Sequence, residues 1–292
     1  MNMPDIRLQS TVSLPVSDRE RNRAFSSLVQ IREKRPLLHC ISNLVSANDC
    51  ANIALAVGAS PMMAQAEEEM EEITAISDVT VLNTGTPDRD RFQICRLCGT
   101  AAVRLGKPII LDPVGIGASS WRLREIRQLL EAFRPDILRV NLGEATALCR
   151  TAGFEKGVDV AGEADRTYRQ DIAAELAGRL HTTVLLSGED DLVHDGRRVA
   201  WIEGGSEQMA CVTGTGCMLS VLCGAFAAVE KDAFRAAEQA AAFWKRCAEK
   251  ADSETQKLGI GSFRIALINA AGQLSKPGLS HDSRASLCPE EF

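Results

Sequence analysis

The sequence predicts an α/β protein of three layers, α/β/α, with a mostly parallel central sheet. Apolar runs of strand length alternate with longer amphipathic stretches for most of the 292 residues, and such alternation brings successive strands into the sheet in one direction, with helices covering both faces. Several runs also close on a polar or glycine cluster, as expected where parallel strands reach a common carboxyl edge.

In chain order, strands are expected at PLLHCIS (36–42), ASPMMA (59–64), VTVLNTG (79–85), KPIILDP (107–113), DILRVN (136–141) and TTVLLSG (182–188). All are short and apolar. The stretches between them, 48–57, 66–77, 88–106, 119–133, 143–150 and 166–180, read as helices. DDLVHDGRRVAWIE (190–203) reads as a hairpin turned by Asp195-Gly196, a pair that accepts the required backbone. From residue 215 the chain becomes helical and alanine-rich, over 215–230, 232–251 and 262–275. No repeat or linker interrupts it. A single domain over 26–275 is expected, between a poorly defined N-terminal extension (1–25) and a C-terminal tail (276–292).

Composition narrows the class. With 45% hydrophobic and 25% charged residues and a mean hydropathy of -0.06, the chain is an ordinary globular one. Its 33 basic and 39 acidic side chains give a net charge of -6, which argues against a nucleic-acid partner, since a phosphate backbone selects a basic face. Residues 1–20 lack the apolar centre of a signal peptide, and MLSVLCGAFAAV (218–229) is too short to span a bilayer. A cytoplasmic protein with no membrane partner is expected. An anionic ligand would then be held by helix ends, a few arginines or a metal.

The ten cysteines are scattered through apolar segments, where they read as small core residues and not as a disulfide set. The one C-x-x-C, Cys95 to Cys98, stands in a helical stretch with no second pair and no histidine close in sequence, short of the four ligands that a structural metal needs. The four histidines are dispersed.

Four strand ends carry polar or glycine clusters: Asn83-Thr84-Gly85-Thr86, Asp112-Pro113-Val114-Gly115, Asn141-Leu142-Gly143-Glu144 and Ser187-Gly188-Glu189-Asp190. They should converge on one edge. VTGTGCMLS (212–220) adds a glycine loop opening into a helix, whose unpaired N–H groups suit an anion. It is not a Walker loop, for the G-x-x-x-x-G-K-[ST] lysine is missing from the chain, nor a dinucleotide fingerprint, for no βαβ unit follows. Its plainer reading is a tight turn that starts a helix.

Asp112 and Glu144, both just past strands, could share Mg2+, which prefers oxygen ligands and bridges phosphates; taken singly, they read as a turn cap and a residue offsetting a helix dipole. Arg139, inside the apolar ILRVN, needs a carboxylate or phosphate partner. Met62 and Met63, after Pro61, read as core.

Together these motifs resemble the hydroxyethylthiazole kinases, the thiazole-alcohol kinases of thiamine salvage, which have the ribokinase-like fold. The resemblance covers roughly residues 35–275 and runs in order through HCISNLVSANDCANIALAVGASPMMAQAEEE, VLNTGTP, KPIILDPVGIGAS, ILRVNLGEATAL, KGVD, LLSGEDDLV, VTGTGCMLS and GIGSFRIALINA. It implies phosphorylation of a primary alcohol by ATP with Mg2+, and homotrimers with sites at subunit boundaries. It also implies roles by position: Met63 and Gly214 in the thiazole site; Arg139, Ser187, Asn43, Thr215 and Gly216 on the nucleotide; Asp112 and Glu144 at the metal and phosphates; and Cys217 at the substrate hydroxyl. Where the family reads R-G-N-A-[SA]-E this chain has Arg139-Val140-Asn141-Leu142-Gly143-Glu144, and Ser187 replaces a usual threonine.

Many ribokinase-like enzymes carry aspartate where Cys217 stands. As a proton acceptor, a thiol at a helix N-terminus is expected to have its pKa lowered toward neutrality. The alternatives are a kinase of a related small alcohol, an enzyme using Cys217 as a covalent nucleophile, and a silent binding protein that keeps the thiazole pocket.

Overall fold

The computed structural model describes residues 18–150, 166–256 and 258–276; the KGVD segment (156–159), Cys288 and the tail beyond 276 lie outside them. The elements run α1 (Asp18–Lys34), β1 (Leu37–Ile41), α2 (Ala47–Val57), β2 (Ser60–Met62), α3 (Met70–Ile76), β3 (Val79–Asn83), α4 (Arg89–Leu105), β4 (Ile109–Asp112), α5 (Ser120–Ala132), β5 (Ile137–Asn141) and α6 (Leu142–Arg150). There follow α7 (Arg166–Leu180), β6 (Thr183–Ser187), β7 (Asp191–His194), β8 (Val199–Ile202), α8 (Thr215–Ala227), α9 (Ala233–Thr255) and α10 (Ile260–Leu274), with short 3-10 turns at Glu67–Glu69, Ile116–Ala118 and Glu207–Cys211.

The expected strands and hairpin all form. Helix α1 was not foreseen; it begins at Asp18, inside the expected extension 1–25, and buries Leu28 and Ile31. The sheet order is β2-β1-β3-β4-β5-β6-β7-β8. Its first six strands are parallel, whereas β6–β7 and β7–β8 are antiparallel. The three residues Gly188 to Asp190 are too few for a crossover, so β7 can only fold back on β6.

Period-two alternation divides each central strand between two cores. Leu38, Cys40, Val79, Val81, Ile110, Ile137 and Leu185 join α1, α2, α8, α9 and α10 on one face. Leu82, Ile109, Leu111, Leu138, Val140, Val184 and Leu186 join α3 to α7 on the other. Strands buried on both faces explain the near-continuous apolar runs. Helix α8 is apolar all round because it is buried all round, from Met218 through Ala227. Fully burying a side chain such as Leu222 or Phe226 is worth about 1.5–3 kcal/mol. At Gly224 the helix lies so near β3 that a Cβ would meet Val81.

The order also locates the ligand edge. From β1 the chain steps outward to β2, then returns to lay β3 on β1's other side. That reversal opens a crevice at the carboxyl ends of β1 and β3, where Asn43 and Asn83 stand.

Candidate active site

The same alternation that sorts the core places the polar strand ends. Asn83 shares the face of Val81, Asp112 that of Ile110, Arg139 that of Ile137 and Ser187 that of Leu185. Four neighbouring strands thus each present one polar side chain beneath the first turn of α8. Asp112 is fully buried, and its Oδ2 accepts from Asn83 Nδ2 and from Ser220 Oγ on α8, both at 2.8 Å. Its Oδ1 faces Arg139 Nη1 at 3.4 Å, and Arg139 Nη2 donates to Ser187 Oγ at 2.6 Å. Burial pushes the Asp112 carboxyl up, with Arg139 and the donated bonds offsetting part of the effect. Burial also works against the Arg139 charge, but Asp112 and Glu144 outweigh it and hold the guanidinium above its ordinary value. Arg139 therefore stays cationic, with its buried Nε unpartnered among the described residues.

Cys217 lies in the first turn of α8, and two amides aim at its sulfur: Asn43 Nδ2 at 3.3 Å and Asn83 Nδ2 at 3.2 Å. Neighbours fix both orientations. Asn43 Oδ1 accepts the backbone N–H groups of Val45 (2.9 Å) and Ser46 (3.1 Å), and Asn83 Oδ1 accepts that of Gly85 at 2.9 Å. Each amide nitrogen must then face the sulfur. The loop before the helix requires glycine, because Gly214 holds φ at +88° and a Cβ there would stand 3.1 Å from Ser46 Cβ. At Gly216 a Cβ would land on the Arg139 guanidinium. The starts of α2 and α8 thus meet beside the thiol.

One expectation is overturned. The Cys217 thiol is pushed up, not down toward neutrality: burial and the Asp112 carboxylate outweigh the bonds from Ser46 and Asn83 and the Arg139 charge. One helix terminus does not compensate for a nearby buried anion.

Glu144 is held at the start of α6. Its Oε2 accepts from Asn141 N (2.9 Å) while Asn141 Oδ1 accepts from Glu144 N (2.9 Å), a reciprocal cap, and its Oε1 accepts Gly115 N at 2.8 Å. Burial first, then repulsion from Asp112, raises this carboxyl too. The dipole-offsetting reading of Glu144 is therefore correct locally. It is compatible with metal contact, since each oxygen keeps a lone pair. Among the described residues no group of three or more His, Cys, Asp and Glu forms a metal cluster. A metal here would rest on two carboxylates together with ligand oxygens.

Beside Arg139 opens a cleft of about 980 Å³, lined by Arg139, Ser187, Thr215 and Gly216 among others, with Trp244 and Lys245 of α9 in its wall. The structure thus brings together four of the five residues expected on the nucleotide. Asn43 is the exception: it sits at the thiol and does not line the cleft. The Thr215 hydroxyl turns back to Met209 O and Val212 O. Met63, just past β2, is partly exposed and packs on the same core as Cys217, whereas Met62 packs on the other.

Three participants were not foreseen. Asn83 and Ser220 grip Asp112, and Lys245 Nζ donates to Gly188 O (3.0 Å) and to Glu189 O and lies 3.5 Å from buried Asp191, bracing the Ser187 loop. Strand parity pointed to Asn83, which repeats the placement of Asp112 and Arg139. Lys245 could have been found as the one charge in the apolar helical spacing Ala237, Ala241, Lys245, Ala248. The C-x-x-C also has a neighbour that sequence spacing hid, for His39 Nδ1 stands 3.3 Å from Cys98 Sγ. Burial pushes Cys95 and Cys98 up to about 12, so they are core thiols.

Comparison with known proteins agrees with this geometry. The model of the hydroxyethylthiazole kinase family matches residues 28–277. A hydroxyethylthiazole kinase of Listeria monocytogenes serotype 4a (strain HCC23) is 42% identical over 252 residues, 86% of this chain and 93% of the relative. The solved structure of the hydroxyethylthiazole kinase from Pyrococcus horikoshii OT3 superposes with a TM-score of 0.79 at 37% identity, covering 86% of this chain and 93% of that one. A ribokinase-like superfamily protein of Enterococcus faecalis V583 shares the fold, with a TM-score of 0.58 at 13% identity over 83% of this chain and 88% of its own. With a polar crevice at the strand ends, a glycine-opened helix over it and relatives matching most of the chain, this protein belongs to the hydroxyethylthiazole kinase family and is a kinase of ribokinase-like fold.

Proposed function

We propose that the chain transfers the γ-phosphoryl group of ATP to the primary hydroxyl of 4-methyl-5-(2-hydroxyethyl)thiazole, a step of thiamine biosynthesis and salvage. The observation that carries this is the position of Cys217. Its sulfur stands at the start of α8 with two amide donors on it, next in sequence to Thr215 and Gly216, which line the cleft that holds Arg139, and it packs on the same core as Met63. ATP takes the cleft and the alcohol takes the thiol side, with its ring against Met63 and Gly214.

Phosphoryl transfer asks for positioning and charge stabilisation more than for covalent chemistry. The backbone N–H groups of Gly214 to Gly216 face the transferred group at a helix N-terminus, and Arg139, fixed by Asp112 and Ser187, supplies a cation with a free Nε–H. Asn43 and Asn83 hold the sulfur where the hydroxyl approaches, and the Cys217 thiolate accepts the alcohol proton as the alcohol oxygen bonds the γ-phosphorus, the γ-phosphorus–bridging-oxygen bond breaks and ADP leaves. Little base strength is demanded by a loose transition state, so the small thiolate fraction at neutral pH suffices at reduced rate. Asp112 acts by holding Arg139, Asn83 and Ser220. Mg2+ suits the two carboxylates: Glu144 Oε1 and Oε2 and Asp112 Oδ1 keep acceptor capacity, and their mutual repulsion calls for a cation. Bound there with the phosphates and water, it would neutralise phosphate charge.

A covalent role for Cys217 is less well supported, because among the described residues no histidine bonds to the thiol as a partner base, and His39 lies on the far face of the sheet against Cys98. Exposed Leu44 and Val45, beside the site, and Leu258, Ile260 and Ile265 of the α10 region are joined through the Arg264–Asp49 ion pair at 2.6 Å. This apolar edge supports a homotrimer with sites at its boundaries. ATP use and the absence of a bilayer-length apolar helix among the described residues fit a cytoplasmic setting.

The test is incubation with ATP, Mg2+ and the thiazole alcohol. ADP and a phosphorylated thiazole should form in equal amounts. ADP without the ester, or no turnover with any small alcohol, would exclude the assignment.

A further inference from the structure

Met63 is poorly held by the sheet. The edge strand β2 has three residues, pairs among the described residues only with β1 over Ser60 to Met62, and contains Pro61, which donates no hydrogen bond. Two buried side chains hold the segment that follows. His39 of β1 is fully buried; its Nε2 lies 3.3 Å from Ala64 O, and its Nδ1 lies 3.3 Å from both Thr74 Oγ1 and Cys98 Sγ. A carbonyl only accepts, so Nε2 carries the proton and Nδ1 accepts from the hydroxyl or the thiol. Burial lowers the His39 pKa, with the Ala64 bond and Glu69 partly opposing, which keeps the ring neutral. Arg91 of α4, also buried, donates through Nη1 to Ser42 O (2.6 Å) and through Nη2 to Gln65 Oε1 (3.3 Å).

The His39 tie joins Ala64 to the middle of β1, and the Arg91 tie joins Gln65 to Ser42, just past the end of β1 and immediately before Asn43, so the stretch after Met63 is bound to the strand that leads into Asn43. One element offers the ring contact, the other an amide on the thiol, and their separation sets the room for the alcohol between them. We propose that His39 and Arg91 are positioning residues that fix the Met63 segment against Asn43 and so set the affinity for the alcohol, without contacting either substrate. This rests on the reading that Met63 lines the alcohol site.

His39→Leu removes the donor to Ala64, whereas His39→Gln can place an amide N–H where Nε2–H stands. The loss of a neutral hydrogen bond predicts a roughly three- to tenfold rise in KM for the thiazole alcohol in His39→Leu, with KM for ATP unchanged. His39→Gln should recover most of it. Arg91→Met should give the same selective rise, and it tests the idea separately should His39→Leu not fold. A general loss of structure would move both Michaelis constants or lower the active fraction. Equal effects of His39→Leu and His39→Gln, or an unchanged alcohol KM in folded Arg91→Met, would overturn the proposal. Met63→Ala separates the two layers. If it raises the alcohol KM while the His39 and Arg91 variants do not, the positioning idea alone fails. If Met63→Ala also leaves that KM unchanged, the placement of the alcohol fails, and the proposal with it.

Discussion

Arg139→Met strips one cation from the site while keeping most of the side-chain volume. Arg139 is held at both terminal nitrogens, by Ser187 Oγ at 2.6 Å and by Asp112 Oδ1 at 3.4 Å, and its buried Nε has no partner among the described residues. A phosphate oxygen is the natural acceptor for that group. Losing one charge-assisted bond costs about 1.5–3 kcal/mol, so KM for ATP should rise roughly 10- to 150-fold, with the alcohol KM little changed. A stability cost comes with it. Asp112 would keep only its neutral donors, and stranding a buried carboxylate costs about 3–5 kcal/mol. The sign with pH follows. Asp112 in the folded chain already binds its proton more tightly than an ordinary carboxyl, and losing Arg139 tightens it further. Stability of the variant should therefore fall as pH rises above the unfolded carboxyl's ~3.9. Urea unfolding should show a larger loss in mildly alkaline than in acidic buffer, since the window opens at the unfolded carboxyl's ~3.9 and extends up through the raised folded value. Arg139→Met combined with Asp112→Asn should recover much of it. Initial rates at varied ATP and saturating alcohol supply the kinetic half. A raised alcohol KM with an unchanged ATP KM would refute the placement of Arg139, and a stability loss independent of pH would refute the pairing.

Cys217→Ala should slow turnover by roughly ten- to a thousandfold, the lower part of the ~10²–10⁴ typical of general acid–base catalysis and below it, as suits a weak base, without abolishing it, as measured by ADP release. Because the thiol is pushed up and the thiolate is the working form, the wild-type rate should keep climbing from neutral into alkaline pH; Cys217→Ala should lose that limb, and an identical profile would remove the thiol from the chemistry. Glu144→Gln keeps one of two acceptor oxygens, so it should cost about 0.5–2 kcal/mol of stability through the weakened cap and lower turnover steeply; unchanged turnover would take Glu144 off the metal. Activity should vanish in excess EDTA, and full activity there would contradict the Mg2+ role. In Gly216→Ala a Cβ would stand 2.6 Å from Arg139 Cζ, so KM for ATP should rise by about tenfold, the scale of one lost charge-assisted bond, with the alcohol KM nearly constant.

Much of this architecture was legible because strands buried on both faces and helices with one apolar stripe write different periods into a sequence. The six parallel strands and the glycine loop at 214–216 were read directly. Helix α1 was not, since its two described core anchors, Leu28 and Ile31, stand among charged residues that resemble an extension. At the site, Asp112, Arg139, Ser187 and Cys217 were picked out singly, but what joins them lies in hydrogen-bond geometry. Asn43 was assigned to the nucleotide; its side-chain oxygen accepts the N–H groups of Val45 and Ser46 in the turn before α2, which aims its amide nitrogen at the sulfur. The thiol's pKa was misread because a helix terminus is visible in sequence and a buried carboxylate four strands away along the chain is not. The His39 and Cys98 contact, between residues 59 positions apart, was hidden for the same reason.

The central claim is that the alcohol and the nucleotide meet across the first turn of α8, with the thiol on one side and Arg139 on the other. A crystal structure with the thiazole alcohol and a non-hydrolysable ATP analogue tests it most directly. The account predicts the substrate hydroxyl within hydrogen-bonding distance of Cys217 Sγ, its ring against Met63, and the terminal phosphate over the amides of Gly214 to Gly216 beside Arg139. An alcohol bound in the cleft of Trp244 and Lys245, or phosphates remote from Arg139, would contradict it.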